Sequence, residues 1–171
     1  GDATKVTTAI LARESGVTEA ALYRHFPSKR SIFLELFAFC DETIFQKVGE
    51  IKKEKSMQPD EKIRLIFFFF IIFLEKNKGF ARILSREALS SDEQNVTDAV
   101  NQFFERLELN IKQILAADAN KLIAQPGISA QLIVTLLEGT VSRYIRSKFK
   151  EAPSSYSENI WTLAVLATFK D

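Results

Sequence analysis

The sequence predicts an all-α fold, with a short helix-turn-helix ahead of a larger helical domain. Three observations carry the helical reading. Apolar residues recur at steps of three and four over long stretches. No segment sustains the apolar–polar alternation of a half-buried strand, and no Asn-Gly or Asp-Gly hairpin pair occurs. Prolines, glycines and hydroxyl residues stand where helices would begin and end.

The elements follow in order. In "TTAILARESGV" (7–17), Thr7 or Thr8 can cap a first helix, Ala12 is small enough for a close crossing, and Gly16 supplies a left-handed turn. In "TEAALYRHFPSK" (18–29), Thr18 caps a second helix whose Leu22 and Phe26 face inward together. Ala20 and Arg24 point the other way, with Tyr23 on the flank. Pro27-Ser28 ends that helix and starts a long one over 28–54, with Ser28 as N-cap. Pro59 opens a helix over 60–77, Asn77-Lys78-Gly79 ends it, and a short helix follows over 80–90. Over 92–116, Val96, Val100, Phe103, Phe104, Leu107, Ile111, Ile114 and Leu115 form one helical face. The pattern repeats over 128–149, from Ile128 through Leu137 and Tyr144 to Phe149, and over 157–169 with Ile160, Trp161, Ala164 and Val165. Pro126-Gly127 and Pro153-Ser154-Ser155 read as the turns between them.

Composition narrows the function. The 171 residues are 46 % hydrophobic, enough for a sizeable core, and carry a net charge of +1. The first thirty residues hold five cations against three carboxylates, a mildly basic segment on a neutral body. The one cysteine, Cys40, precludes an internal disulfide and suits a reducing compartment. "LIFFFFIIFL" (65–74) is about half of the ~20 apolar residues a bilayer span needs, and Arg64 and Glu75 flank it. No start-of-chain signal peptide is evident. Cys40 and the only histidine, His25, sit on separate helices, so a nucleophile–base pair is not expected. Nor is a metal, because no Cys/His cluster exists. Glu105 and Glu108 fall on a polar helix face, where solvation explains them. The chain is therefore expected to be a binding protein without cofactor, not an enzyme.

Two readings of Tyr23, His25 and Lys29 stay open on spacing alone. They are phosphate contacts beside a recognition helix, or ordinary surface residues. Phe67–Phe70 either fill the core or line a ligand pocket. Gly139, inside a helix, marks either a close approach at a dimer seam or a tolerated gap within one protomer.

"VTEAALYRHFPSKRSIF" (17–33) resembles the N-terminal DNA-binding signature of the TetR family, in which a Leu-Tyr-x-His-Phe core runs into a Ser-Lys helix start. "GFARILSREAL" (79–89), "VNQFFERLELNIKQIL" (100–115) and "LLEGTVSRYIRSKFKEAPSSY" (136–156) are similar to the family's nucleoid-occlusion branch. The resemblance implies nine helices, a DNA-binding region over 1–30 and a regulatory and dimerisation domain over 31–171. The family's first helix, with its basic lead-in, would precede Gly1. DNA contacts would fall to Thr7, Thr8, Thr18, Glu19, Ala20, Tyr23, Arg24, His25 and Lys29. The implied partners are a palindromic double-stranded DNA site, a second copy of the chain through the last two helices, and the C-terminal tail of the division protein FtsZ, with more than one dimer on a site as an option. Location would be cytoplasmic, on the nucleoid. The tail would lie between Phe39 and Lys47 on one side and Phe69, Ile72, Lys76 and Asn77 on the other. Lys47 and Lys76 stand where this branch has arginines, and Ile72 where it commonly has glycine, so a narrowed groove is expected. The alternatives are a ligand-responsive TetR repressor with a pocket beside Phe67–Phe73, and a helical interaction protein without DNA binding. Tyr144 and Trp161 are expected to anchor the dimer.

Overall fold

The computed structural model describes residues 12–13, 16, 18–26, 28–86 and 94–170, with only the backbone of Leu22, His25 and Lys29. Thr7 and Thr8 lie outside these residues. Seven helices have defined bounds: α1 Glu19–His25, α2 Lys29–Lys53, α3 Pro59–Lys76, α4 Lys78–Leu84, α5 Gln94–Leu115, α6 Pro126–Arg146 and α7 Ser154–Thr168. A 3-10 turn, Ala116–Lys121, follows α5. The one strand-like contact among the described residues is an isolated bridge between Leu122 and Phe169. No helix among them is long and apolar enough to cross a membrane.

The helix starts follow local chemistry. The Thr18 hydroxyl accepts from the Ala21 amide at 3.1 Å, a cap worth about 1 kcal/mol. Ser28 caps α2 by accepting from Ser31 N at 3.2 Å while the Ser31 hydroxyl accepts from Ser28 N at 3.1 Å. Pro59 begins α3 behind Gln58, whose amide is held by Glu61 at 2.8 Å.

Three sequence-based boundaries shift. Gly79 does not stop a helix: Asn77 closes α3 and precedes α4 at once, and Gly79 is buried inside α4. Pro126-Gly127 form the first turn of α6 instead of a separate turn. Phe149 lies beyond α6, which ends at Arg146. Lys148 (φ 55°) and Phe149 (φ 62°) are both left-handed, a conformation that costs an L-residue roughly 1–2 kcal/mol. The Phe149 amide donates to Tyr144 O at 3.0 Å and the two rings meet edge-to-face at 4.8 Å, which offsets that cost.

The path gives the molecule two ends. α2 leaves the N-terminal unit at Ser28 and runs to the far end. α3 returns beside it, with Lys62 Nζ donating to Lys52 O at 3.0 Å. The end of α3 and all of α4 therefore sit at the near end, where the Phe80 ring lies 5.8 Å from Phe37. α6 starts at the far end and finishes at the near end. α7 starts there, its Ser154 amide donating to Glu75 at 2.5 Å, and runs back until Phe169 meets Leu122.

The core between them is aromatic. Phe33, Phe67, Phe70, Phe80 and Phe103 are fully buried, and Phe103 touches the rings of Phe37, Phe45, Phe70, Phe80 and Phe104. Each buried ring contributes about 1.5–3 kcal/mol by leaving water. Phe68 and Phe69, half-buried, also pack on this core. The four-phenylalanine run thus fills space rather than lining it.

Candidate nucleic-acid interface and partner groove

The N-terminal unit turns at Gly16 (φ 70°), whose amide donates to Arg13 O at 3.2 Å. A glycine adopts that backbone at little cost, and the turn sets α1 across the preceding helical residues, Ala12 and Arg13. Ala12 is buried, as a close crossing requires. Phe26 packs against the core beside Ile32 and Phe33 at the start of α2, which fixes the unit to the body. On α1, Glu19, Ala20, Tyr23 and Arg24 are all exposed. Their positions span about 140° of the helix at 100° per residue, so they form one outer face. Thr18 is exposed at the head of that face. The backbone of His25 closes α1 and that of Lys29 opens α2. First-turn amides such as those of Lys29 and Arg30 have no partner within their own helix.

The second candidate site lies along α2 and α3, and each helix presents two flanks. On α2, Asp41, Phe45 and Lys52 meet α5. Arg106 pairs with Asp41 at 3.1 Å and lies 3.8 Å above the Phe45 ring, and Lys52 bonds Asn110 at 3.3 Å. The opposite flank repeats through Phe39, Thr43, Lys47 and Glu50. On α3, Arg64, Phe68 and Glu75 meet α7 through Glu158, Trp161 and Ser154. Leu65, Phe69, Ile72 and Lys76 form a second stripe, about 100° round α3 from that flank. Because the helices are antiparallel, these two remaining stripes border one groove. Phe39 lies level with the end of α3 near Lys76, and Lys47 level with its middle.

Phe39, Leu65 and Ile72 are exposed, Phe69 is half-buried, and Lys47 and Lys76 are exposed. Ile72 lies farther round α3 than Phe69 and points outward. It therefore adds apolar surface to the outer lip and does not close the floor. Lys47 Nζ donates to Glu50 at 3.1 Å. That bond, with a second from Gln46, holds the Glu50 carboxyl below the usual carboxylate range. The Asn77 side-chain amide donates to Phe73 O at 2.8 Å.

The third surface joins α6 and α7. Ile128, Leu132, Leu136 and Gly139 share a face of α6, and Ile160, Leu163 and Ala167 one of α7. Leu132, Leu136, Ile160, Leu163, Ala164 and Ala167 line a shallow apolar groove of about 240 Å³. Gly139 is exposed, and a Cβ there would meet nothing within 4 Å in its own protomer. Packing inside one protomer thus gives no reason for the glycine. Tyr144 and Trp161 are not on this face. Trp161 is buried with its ring 5.4 Å from Phe67, and Tyr144 is buried against Phe149, so both are core residues of one protomer. Leu163 and Leu166, missed in the sequence pattern, are the exposed apolar residues of α7.

Cys40 is fully buried, and burial pushes its thiol up to about 12, which keeps it protonated and unreactive at neutral pH.

Comparison with known proteins adds the following. The family described as tetracyclin repressor-like, C-terminal domain, of the SlmA-like kind, matches residues 58–167, and the bacterial regulatory proteins of the tetR family match residues 2–36. The nucleoid occlusion factor SlmA of Vibrio vulnificus is 37 % identical over 165 residues, covering 94 % of this chain and 84 % of that protein. SlmA of Marinobacter nauticus is 36 % identical, covering 93 % and 83 %. Among solved structures, a TetR transcriptional regulator from Legionella pneumophila superposes with a TM-score of 0.69 at 19 % identity, over 95 % of this chain and 86 % of that one. FadR of Bacillus subtilis, solved with stearoyl-CoA, gives 0.68 at 17 %, over 95 % and 88 %. At these identities the structures share the fold.

Proposed function

The chain belongs to the TetR family, in the branch of the nucleoid occlusion factor SlmA, and from this we propose that it is a dimeric DNA-binding protein that restrains FtsZ assembly over the chromosome. The observation that carries the reading is the likeness to SlmA along nearly the whole chain, body included, at 37 % identity. A likeness confined to the N-terminal unit would fit any TetR regulator.

In this reading residues 1–30 serve DNA and 31–171 serve the partner and the second copy. The outer face of α1 enters a major groove, with Glu19, Ala20 and Arg24 toward base edges and Thr18 at their head. Tyr23, His25 and Lys29 lie toward the phosphates, where the first amides of α2 join them. Thr7 and Thr8 complete the proposed DNA contacts. Two copies joined along α6 and α7 present their α1 helices to successive major grooves, about 34–36 Å apart, and so read a palindrome. The α2–α3 groove takes the FtsZ tail, an extended segment with acidic and apolar residues. Phe39, Phe69 and Ile72 bind its apolar side chains, and Lys47 and Lys76 fix its direction. Asn77 shapes the end of the groove by closing α3. The protein acts in the cytoplasm on the nucleoid.

A ligand-responsive repressor is the weaker reading, because rings fill the interior beside Phe67–Phe73. Genome-wide mapping of bound DNA distinguishes the two. Sites spread over the chromosome and scarce near the terminus are expected. A few promoter sites would overturn the division role.

A further inference from the structure

We propose that Arg86 belongs to the seam between two copies of this chain. The groove it occupies, between the end of α4 and the outer face of α6, receives the second copy, and its guanidinium donates to a neutral oxygen there. The proposal rests on the dimer reading above and carries the seam beyond α6 and α7.

Within one protomer Arg86 costs twice. Ser85 closes α4 and Arg86 follows it at φ 60°. Glycine usually takes that place at a helix end, because a left-handed backbone sets the Cβ of an L-residue against the following carbonyl. The Arg86 amide donates to Ile83 O at 3.1 Å, a bond any residue would make. The guanidinium gains little in return. Its Nε is buried with no hydrogen-bond partner. Its Nη2 stands 3.9 Å from Glu138 Oε1, beyond hydrogen-bond length, and its Cζ is 6.0 Å from the centre of the Phe104 ring. A buried donor left unmade is a net loss. Strain of this kind persists where the surroundings over-determine it and clusters at functional positions.

The rest of the side chain is open. It is 39 % exposed and borders a groove of about 390 Å³ with Phe104, Thr135, Glu138, Gly139 and Ser142. Thr135, Gly139 and Ser142 fall within about 60° of one another round α6, on the stripe that also carries Ile128. The groove is therefore continuous with the face assigned to the second copy, and Gly139 is common to both.

Charge selects the occupant. The exposed residues over 128–142 of α6 and over 159–168 of α7 include no charged side chain, in a chain that is 26 % charged. Depletion of charge marks the core of a protein interface. A free anion suits the groove badly, because Glu105, Glu108 and Glu138 line it and its continuation along α5. A hydroxyl or amide oxygen on a second copy of the uncharged face meets no such repulsion. Two-fold symmetry supplies the contact twice.

Sedimentation equilibrium of the unaltered protein, Arg86→Gly and Arg86→Lys tests this. Thermal unfolding of Leu163→Arg against Leu163→Arg/Arg86→Gly reads the fold without the dimer. Arg86→Gly should weaken dimerisation about 10-fold although it relieves the left-handed strain. Arg86→Lys, which keeps the charge and loses the planar fork, should weaken it too. The unfolding temperature in the monomeric pair should not fall. Unchanged dimerisation in Arg86→Gly would overturn the proposal. So would a lower unfolding temperature in the monomeric pair, by assigning Arg86 to the fold of one protomer. Stabilisation of the Leu163→Arg monomer by inorganic phosphate, lost with Arg86→Gly, would overturn it in favour of a free anion. A dimer broken by Leu163→Arg and indifferent to Arg86→Gly removes Arg86 alone. A monomeric unaltered protein, or a dimer indifferent to Leu163→Arg, removes the α6–α7 reading and this seam with it.

Discussion

Two apolar surfaces of similar exposure lie on different helix pairs of this molecule, and they suit different partners. The α6–α7 face exposes Leu163 at 67 %, Leu166 at 62 % and Ile128 at 59 %. The α2–α3 groove exposes Phe39 at 65 %, Ile72 at 48 % and Leu65 at 44 %. Exposure alone would give them the same role. Backbone and charge separate them. The first contains Gly139, which costs about 1 kcal/mol relative to alanine in a helix and is open on its own protomer, so its compensation lies in a second backbone laid against it. Such a flat, leucine-rich face suits a copy of itself. The second sets the aromatic rings of Phe39 and Phe69 between the exposed Lys47 and Lys76, which suits an extended acidic segment.

Breaking the first face has the largest expected effect. Leu163→Arg places a charge where two copies meet. It should yield monomers at micromolar concentration by sedimentation and lower palindrome affinity at least about 100-fold, because the two half-sites are no longer linked. A variant that stays dimeric would place the seam elsewhere. At the second face, Lys76→Glu should abolish FtsZ-tail binding while the preferred DNA sequence is unchanged, as read by calorimetry and a binding-site selection. Loss of sequence preference would show that the groove and the DNA unit are not separate.

Smaller changes sharpen the contrast. Phe39→Ala removes an exposed ring that nothing in the protomer requires. Tail affinity should fall about 10-fold, the value of roughly 1.4 kcal/mol, with unfolding temperature unchanged. Gly139→Ala should strengthen the α6 helix in isolation yet weaken dimerisation several-fold; a tighter dimer would mean the two backbones do not approach there. The smallest effect is expected at Glu50. Its carboxylate occupies Lys47 at neutral pH, so Glu50→Gln should free that lysine and strengthen tail binding about twofold. Weaker binding would show that Lys47 needs Glu50 for its orientation.

The two surfaces also show which information a single sequence carries. Helix starts were legible because capping is local: Ser28, Pro59 and Thr18 act on amides within one turn. The outer face of α1 was legible for the same reason, since its four exposed residues, Glu19, Ala20, Tyr23 and Arg24, share one side of a short helix. The partition of apolar residues was not. α6 and α7 each carry two apolar faces, one buried within the protomer and one exposed, and periodicity does not label them. Trp161 and Tyr144 were assigned outward by size, whereas the rings of Phe67 and Phe149 hold them inward. Gly79 read as a stop because its residue type permits one. It is buried within α4 instead, in a helix that follows α3 with only Asn77 between them.

The central claim is that this protein, on DNA, holds the tail of FtsZ in the α2–α3 groove. Titrating the palindrome-bound dimer with the FtsZ C-terminal peptide tests it most directly. The account predicts saturable binding of one peptide per protomer well below millimolar concentration, lost with Lys76→Glu and weakened with Phe39→Ala. No binding at millimolar peptide, in a sample shown to occupy its DNA site, would contradict it.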